Sequence, residues 1–175
     1  MLFRSVTLRA VGETAGVSRG APYRHFKGKA ELLAAVAARE LDRLAARFED
    51  ETACSGAPDV EEALGAYLDW ALLYPERFRL TFGRWEIEDQ SLGAAAARAR
   101  LIFIRAVTAA QADGRLPPAN SLRLGVLLLA AVHGIADLEL AGQLGPARTG
   151  LADAKRLVAD LFSYLRPSTN GPAGV

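Results

Sequence analysis

The sequence has little of the residues that metal and disulfide chemistry need. It contains one cysteine, Cys54, and two histidines among 175 residues. One cysteine cannot form an internal disulfide, and this set is too small for a typical zinc site. We therefore interpret Cys54 as a passive thiol and expect neither a metal nor another cofactor.

β-Branched aliphatic residues are also scarce, with 10 Val and 4 Ile against 34 Ala and 26 Leu. Alanine and leucine favour helix, whereas valine and isoleucine favour pleated sheet. The fold class predicted is therefore all-α. With 51% hydrophobic and 23% charged residues, the chain can bury a core, which excludes intrinsic disorder for most of its length.

Long apolar runs are missing too. The longest uncharged stretch, residues 124–136, has 13 residues, fewer than the roughly 20 that cross a bilayer. The N-terminal residues 1–5 lack the apolar core of a signal peptide. We expect no membrane segment and a cytoplasmic protein.

The net charge of +1 hides an uneven distribution. Residues 1–29 hold six Lys/Arg and one acid, whereas residues 30–175 hold 15 Lys/Arg and 19 acids. A basic head on a near-neutral apolar body is typical of a protein that contacts phosphate with one part only. A chance cluster of solvated arginines is the alternative.

Helix start and stop signals divide the chain. They predict that the basic head and a connecting long helix occupy residues 1–50, followed by a helical body at 51–166 and a disordered tail at 167–175. Residues 52–58 are the predicted linker. The predicted body helices are residues 59–74, 75–83, 92–113, 120–142 and 151–165.

Residues 7–26, TLRAVGETAGVSRGAPYRHF, are the most specific stretch. Thr7 and Ser18 are predicted N-caps of two short helices, and Gly16 stands where the turn requires a positive φ. Gly12 would allow the helices to approach closely. This pattern predicts a helix-turn-helix whose small core is formed by Leu8, Val11, Val17 and Phe26.

The outward positions of this motif are the candidate DNA contacts. Arg19 suits a bidentate bond to guanine, while Gly20 and Ala21 permit close approach and contact with a thymine methyl. Hydroxyl, imidazole and ammonium donors suit phosphate. The candidate DNA-binding residues are Thr7, Ser18, Arg19, Gly20, Ala21, Tyr23, His25 and Lys29. Tyr23 as a plain core aromatic and Arg24 as a solvated charge are the alternatives.

Residues 6–37, ending YRHFKGKAELLAAVA, resemble the DNA-binding region of the TetR family of transcriptional regulators, most clearly at Tyr23, Phe26 and Lys29. Downstream, AAVHGIADLELAG at residues 130–142 resembles the Trp-His-Gly type of TetR C-terminal domain. The resemblance implies a three-helix DNA head continued by a long helix. It also implies a homodimer through the last two long helices, at about 120–142 and 151–165.

One departure from the family pattern concerns the start of the chain. Family members carry a complete first helix before the helix-turn-helix, and only residues 1–5 stand in its place. We therefore expect that the head lacks its first helix and exposes an apolar patch around Leu8, Val11, Phe26 and Val36. Operator affinity is expected to be weaker than with that helix restored.

Aromatic residues of the body are the candidate ligand contacts. Most aromatics of the chain lie between residues 67 and 103, and His133 is one of few polar groups in the most apolar helix. The candidate ligand pocket is formed by Tyr67, Trp70, Phe78, Phe82, Phe103 and His133. Ordinary core packing is the alternative for the aromatics. His133 as a satisfied interior imidazole with Asp137 as its partner is the alternative for the histidine.

Together these features predict a ligand-responsive DNA-binding transcriptional regulator, expected to act as a repressor, that binds double-stranded operator DNA and a small apolar or aromatic effector. A dimerisation or ligand-binding module with impaired DNA binding is the alternative. No catalytic motif is found in the sequence, so we expect no enzyme and assign no catalytic residue.

Overall fold

The structure, a computed structural model, describes residues 3, 5–55, 59–85, 87–144 and 153–166, with no side chains described at 50–55. Within these residues the chain forms eight α-helices and no strand, so the all-α prediction is confirmed. The helices are α1 Leu8–Thr14, α2 Ala21–His25, α3 Lys29–Ser55, α4 Val60–Leu73, α5 Pro75–Thr81, α6 Gln90–Ala112, α7 Ser121–Leu140 and α8 Ala154–Leu165.

Side chains cap several of the helix starts, and the cap predicted at Thr7 is confirmed. The Thr7 hydroxyl accepts from the Ala10 amide at 3.1 Å, the Asp59 carboxylate from the Glu61 amide at 2.8 Å, and the Asn120 side chain from the Arg123 amide at 2.9 Å. Each cap satisfies an amide that the first helical turn leaves without a backbone partner.

Two predicted boundaries are wrong. Ser18 does not cap α2: the N-cap is Gly20, and Pro22 occupies the first turn, where its missing N–H needs no cap. The predicted linker begins too early, because α3 continues to Ser55, and the first helix-breaking residue after Thr52 is Gly56. The proposed division at residue 50 therefore falls inside α3, and the tail at 167–175 lies outside the described residues.

Two buried clusters hold the body together. The larger one joins α4, α5, α6, α7, α8 and the second half of α3, and its most deeply buried residues include Leu64, Leu68, Phe78, Val107 and Val132. The smaller one packs alanines of the first half of α3 against Leu80, Leu92 and Ala95. Because α3 contributes to both clusters, this helix connects the head to the body.

The short helices α1 and α2 pack closely. A Cβ on Gly12 would lie 3.0 Å from Pro22 Cγ, so glycine is needed there for close approach, as predicted. Leu8 is buried, and Val11 and Phe26 are half-buried. Val17 is 47% exposed and is not buried in the predicted small core, although its Cγ2 would lie 3.7 Å from a Cβ on Gly12. Val36 is 38% exposed.

The turn after α1 provides a stability test. Gly16 has a φ of +68°, and a Cβ there would meet no neighbour within 4 Å, so only backbone strain opposes a side chain. We expect Gly16→Ala to lower the free energy of unfolding by about 1 kcal/mol. Gly20 is equally open but has a φ of −86°, so Gly20→Ala should change stability little. Urea unfolding of both variants measures the difference, and equal stabilities would contradict the assigned turn.

Helix α7 is long and apolar enough to cross a membrane by length and composition alone, with a mean hydropathy of 1.6. It also packs against α4, α6 and α8, and Leu124, Leu128, Val132 and Ala136 on one side are buried in the core. Buried core helices of soluble proteins can be as long and as apolar as α7, so its composition is weak evidence for a membrane-spanning helix.

Candidate nucleic-acid interface and ligand pocket

The outer face of the helix-turn-helix is exposed and rich in hydrogen-bond donors. Ser18, Gly20, Tyr23 and His25 are exposed, and the Arg19 side chain is 76% exposed. The guanidinium of Arg19 lies 3.8 Å from Glu13, which Arg9 already contacts at 3.0 Å. An exposed ion pair with a separation of 3.8 Å holds the arginine side chain weakly, so Arg19 can turn towards another acceptor.

Three further candidate DNA contacts have different surroundings. Thr7 is exposed, but its hydroxyl caps α1. Ala21 is half-buried at the start of α2. Lys29 is half-buried, and its ammonium donates to the carbonyl of Phe3, so it ties the N-terminal segment to α3. A phosphate contact by Lys29 would have to share this ammonium group with that carbonyl.

Five of the six residues predicted to form a ligand pocket form one ring cluster. The ring centroids of Tyr67, Trp70, Phe78 and Phe82 lie 5.7 to 6.4 Å apart, and His133 lies 4.7 Å from Phe78 and 5.2 Å from Phe82. These distances suit favourable edge and tilted ring contacts. Phe103 lies apart from this cluster and packs on Phe48 at 5.9 Å.

The polar group at the centre of the cluster is the Tyr67–His133 pair. The Tyr67 hydroxyl lies 2.8 Å from His133 Nδ1. Burial, and to a smaller extent the charge of Asp137, raise the pKa of Tyr67 above its usual range, so the hydroxyl stays protonated in this hydrogen bond. Asp137 Oδ2 lies 3.8 Å from His133 Nε2, too far for a direct hydrogen bond. Tyr67, rather than the predicted Asp137, is the direct partner of His133.

A largely apolar cavity of 220 Å³ lies between α3, α6 and α7. Its walls are Leu41, Leu44, Phe48, Tyr67, Phe82, Ala96, Ala99, Arg100, Phe103, Ile104, Gly125, Val126 and Leu129. Three of the six predicted residues, Tyr67, Phe82 and Phe103, line this cavity. Trp70 and Phe78 are buried outside it, and His133 contacts two of its walls, the Tyr67 hydroxyl and the Phe82 ring.

The sequence did not single out the walls that other helices supply. Leu41, Leu44 and Phe48 belong to the apolar face of α3 and line the cavity. Their spacing of three and four residues indicates a helix but does not indicate which cavity the helix borders. At Gly125 a Cβ would lie 2.5 Å from Ile104 Cδ1, so glycine lets α7 approach α6 there. The sequence did not identify Arg100 as a cavity residue, because α6 has several exposed arginines and nothing in the sequence distinguishes this one.

A buried carboxylate fastens α3 to the body beside the cavity. Glu40 is 4% exposed and accepts from Arg43 at 2.6 Å, from Arg77 of α5 at 3.5 Å and from the Trp70 indole of α4 at 3.4 Å. A buried carboxylate needs such partners to offset its desolvation. Glu40 therefore marks a fixed point on α3, about four residues from Leu44 in the cavity wall.

Within the part of the chain that the structure describes, no three acidic, histidine or cysteine side chains lie close enough to hold a metal ion. The absence of a cofactor remains a prediction.

Comparison with protein-family models identifies both parts of the chain. Residues 60–162 match the Tetracyclin repressor-like, C-terminal domain, and residues 3–36 match the bacterial regulatory proteins, tetR family. The second match begins at residue 3, so the expected lack of a first helix is not confirmed, and neither is the Trp-His-Gly type. The curated proteins gave no match.

Two solved structures resemble the chain over most of its length. A protein with unknown function from Rhodococcus sp. RHA1 is 27% identical, with a TM-score of 0.75, and the match covers 93% of this chain and 86% of that one. The TetR family transcriptional regulator PfmR from Thermus thermophilus is 17% identical, with a TM-score of 0.61, over 96% and 92% of the two chains. The second likeness supports the fold alone.

Proposed function

Since the chain belongs to the TetR family and is therefore a DNA-binding transcriptional regulator, we propose that it is a cytoplasmic repressor that a small apolar effector releases from its operator. The observation that carries this proposal is the cavity, because its walls include the helix that bears the DNA head.

The head at residues 1–50 is the proposed DNA-binding unit. Arg19 is the proposed base reader because its guanidinium is exposed and weakly held, and guanine offers two acceptors to such a fork. Gly20 and Ala21 allow α2 to approach the groove. The proposed phosphate contacts are Thr7, Ser18, Tyr23, His25 and Lys29, which would fix the position of the head without reading sequence.

We assign dimerisation to α7 and α8 within the body at residues 51–166. Leu122, Val126, Ala130, Gly134 and Leu138 follow one another at intervals of four on the exposed side of α7, opposite the buried residues. Leu127 beside this row is 67% exposed and Tyr164 of α8 is 82% exposed. An apolar row with small residues at its centre suits close packing against the same helix of a second copy.

The proposed effector acts on α3. Leu41, Leu44 and Phe48 form one wall of the cavity, and at 1.5 Å per residue Leu44 lies about 22 Å from the start of α3 at Lys29. A tilt of about 5° there would move the head by about 2 Å over this length. The effector changes the DNA-binding equilibrium only by its different affinity for the two positions of α3.

Filling the cavity by mutation tests this mechanism. Ala99 lines the cavity, so Ala99→Phe should occupy its space, press on α3 and weaken operator binding by about tenfold, or about 1.4 kcal/mol. Ala97 of the same helix is exposed, so Ala97→Phe is the matched control and should bind normally. Fluorescence anisotropy with labelled operator measures both. Unchanged binding by a folded Ala99→Phe protein would contradict coupling between cavity and head.

The alternative function, a module that no longer binds DNA, is not favoured. The family model of the DNA-binding region matches residues 3–36, and Gly16 and Thr7 keep the turn and cap of the helix-turn-helix.

A further inference from the structure

Arg100 is the one charged residue among the thirteen described residues that line the cavity. It is exposed on α6. The guanidinium therefore lies where the cavity meets solvent, while Leu44, Tyr67 and Phe103, which are buried, form its interior. The charged group and the apolar interior would contact different ends of one ligand.

Nothing that the structure describes neutralises Arg100. Its neighbour Arg98 pairs with Asp42 at 3.6 Å and Glu49 at 3.0 Å, but Arg100 forms no ion pair with a described residue. No carboxylate lines the cavity. A cationic ligand would therefore meet an uncompensated positive charge, whereas a carboxylate would gain a charge-assisted bidentate bond.

The interior limits the rest of the ligand. Tyr67 supplies the polar atom there, and its hydroxyl is already hydrogen-bonded to His133, so the remaining walls offer almost no polar partner. A cavity of about 150 Å³ is known to accept one benzene molecule, and this one has 220 Å³. The interior therefore suits a hydrocarbon group of about one ring with a short chain.

We propose that the effector is a small monocarboxylate whose hydrocarbon end fills the cavity and whose carboxylate binds Arg100. This inference rests on the proposed ligand-responsive function and adds the chemical class of the ligand. Arg100 would then determine whether acids, neutral molecules or amines bind most tightly, because the contacts with the cavity interior are alike for all three.

Three probes of the same shape test the ligand class: 3-phenylpropanoate, 3-phenylpropan-1-ol and 3-phenylpropylamine, titrated into the full chain by calorimetry. We expect the acid to bind about tenfold more tightly than the alcohol, and the amine most weakly. Arg100→Met should remove the preference for the acid, and Arg100→Lys should keep part of it. Arg105→Met is the matched control, because Arg105 is exposed on α6 but does not line the cavity.

The possible failures are distinguishable. Equal binding of acid and alcohol, an unchanged preference in Arg100→Met, or no binding of any probe would overturn the assignment of a monocarboxylate ligand. Arg100-dependent binding of the acid without any change in operator affinity would support this ligand site and count against the proposed release from DNA.

Discussion

Leu127→Glu is expected to convert the protein from dimer to monomer and to abolish operator binding at nanomolar concentrations. A dimer through α7 would bury the introduced carboxylate in both copies, and each unpaired buried charge costs several kcal/mol. We expect the dimer dissociation constant to rise by at least about a hundredfold, or about 2.8 kcal/mol. Sedimentation equilibrium measures the dimer, and fluorescence anisotropy measures DNA binding.

Leu73→Glu is the control for this experiment. Leu73 of α4 is 68% exposed, almost the same as the 67% of Leu127, so the two substitutions change surface charge alike. Only α7 and α8 are assigned to the dimer, and Leu73→Glu should leave both the mass and the DNA affinity unchanged. A dimeric Leu127→Glu protein would remove α7 from the interface.

Arg19→Ala should lower affinity for the preferred operator by about 10- to 100-fold for each head and relax the preference for one base in each half-site. A bidentate arginine–guanine contact is worth about 1–3 kcal/mol of discrimination. Affinity for unrelated DNA should fall much less, because a single positive charge is a small part of non-specific binding. Binding curves against operator and scrambled DNA, at several salt concentrations, separate the two effects.

Lys27→Ala is the control for Arg19→Ala, because each substitution removes one positive charge. The Lys27 side chain is 94% exposed just before α3 and is not a proposed base contact, so loss of its charge should weaken binding to all sequences by the same factor. Lys29→Ala is expected to do the same and also to loosen the N-terminal segment, since Lys29 donates to the Phe3 carbonyl. If Arg19→Ala behaved like Lys27→Ala, Arg19 would not read a base.

Local features of the fold could be predicted because their causes are local. The caps Thr7, Asp59 and Asn120 act on amides two or three residues away, and the φ of Gly16 follows from the turn that it closes. The prediction that Ser18 caps α2 was wrong because α2 begins after Gly20, with Pro22, four residues after Ser18, in its first turn. In each case the deciding residues lie within about one helical turn.

The candidate site depended on contacts that sequence spacing does not contain. Tyr67 and His133 are 66 positions apart and Trp70 and Glu40 are 30 apart, and both pairs exist only because α4 packs between α3 and α7. Aromatic composition indicated the region around the cavity but could not distinguish Phe82, in the cavity wall, from Phe78, in the core. The wall from α3 is the part through which we propose that the effector acts on the head.

We propose that two copies of this chain read DNA with paired α2 helices. This proposal can be tested by selecting the DNA that the full chain binds from a random pool. We expect a two-fold symmetric sequence whose half-sites lie about one helical turn, roughly 10 base pairs, or a multiple of it apart. A bound pool with no enriched sequence, or with a single asymmetric site, would contradict the account.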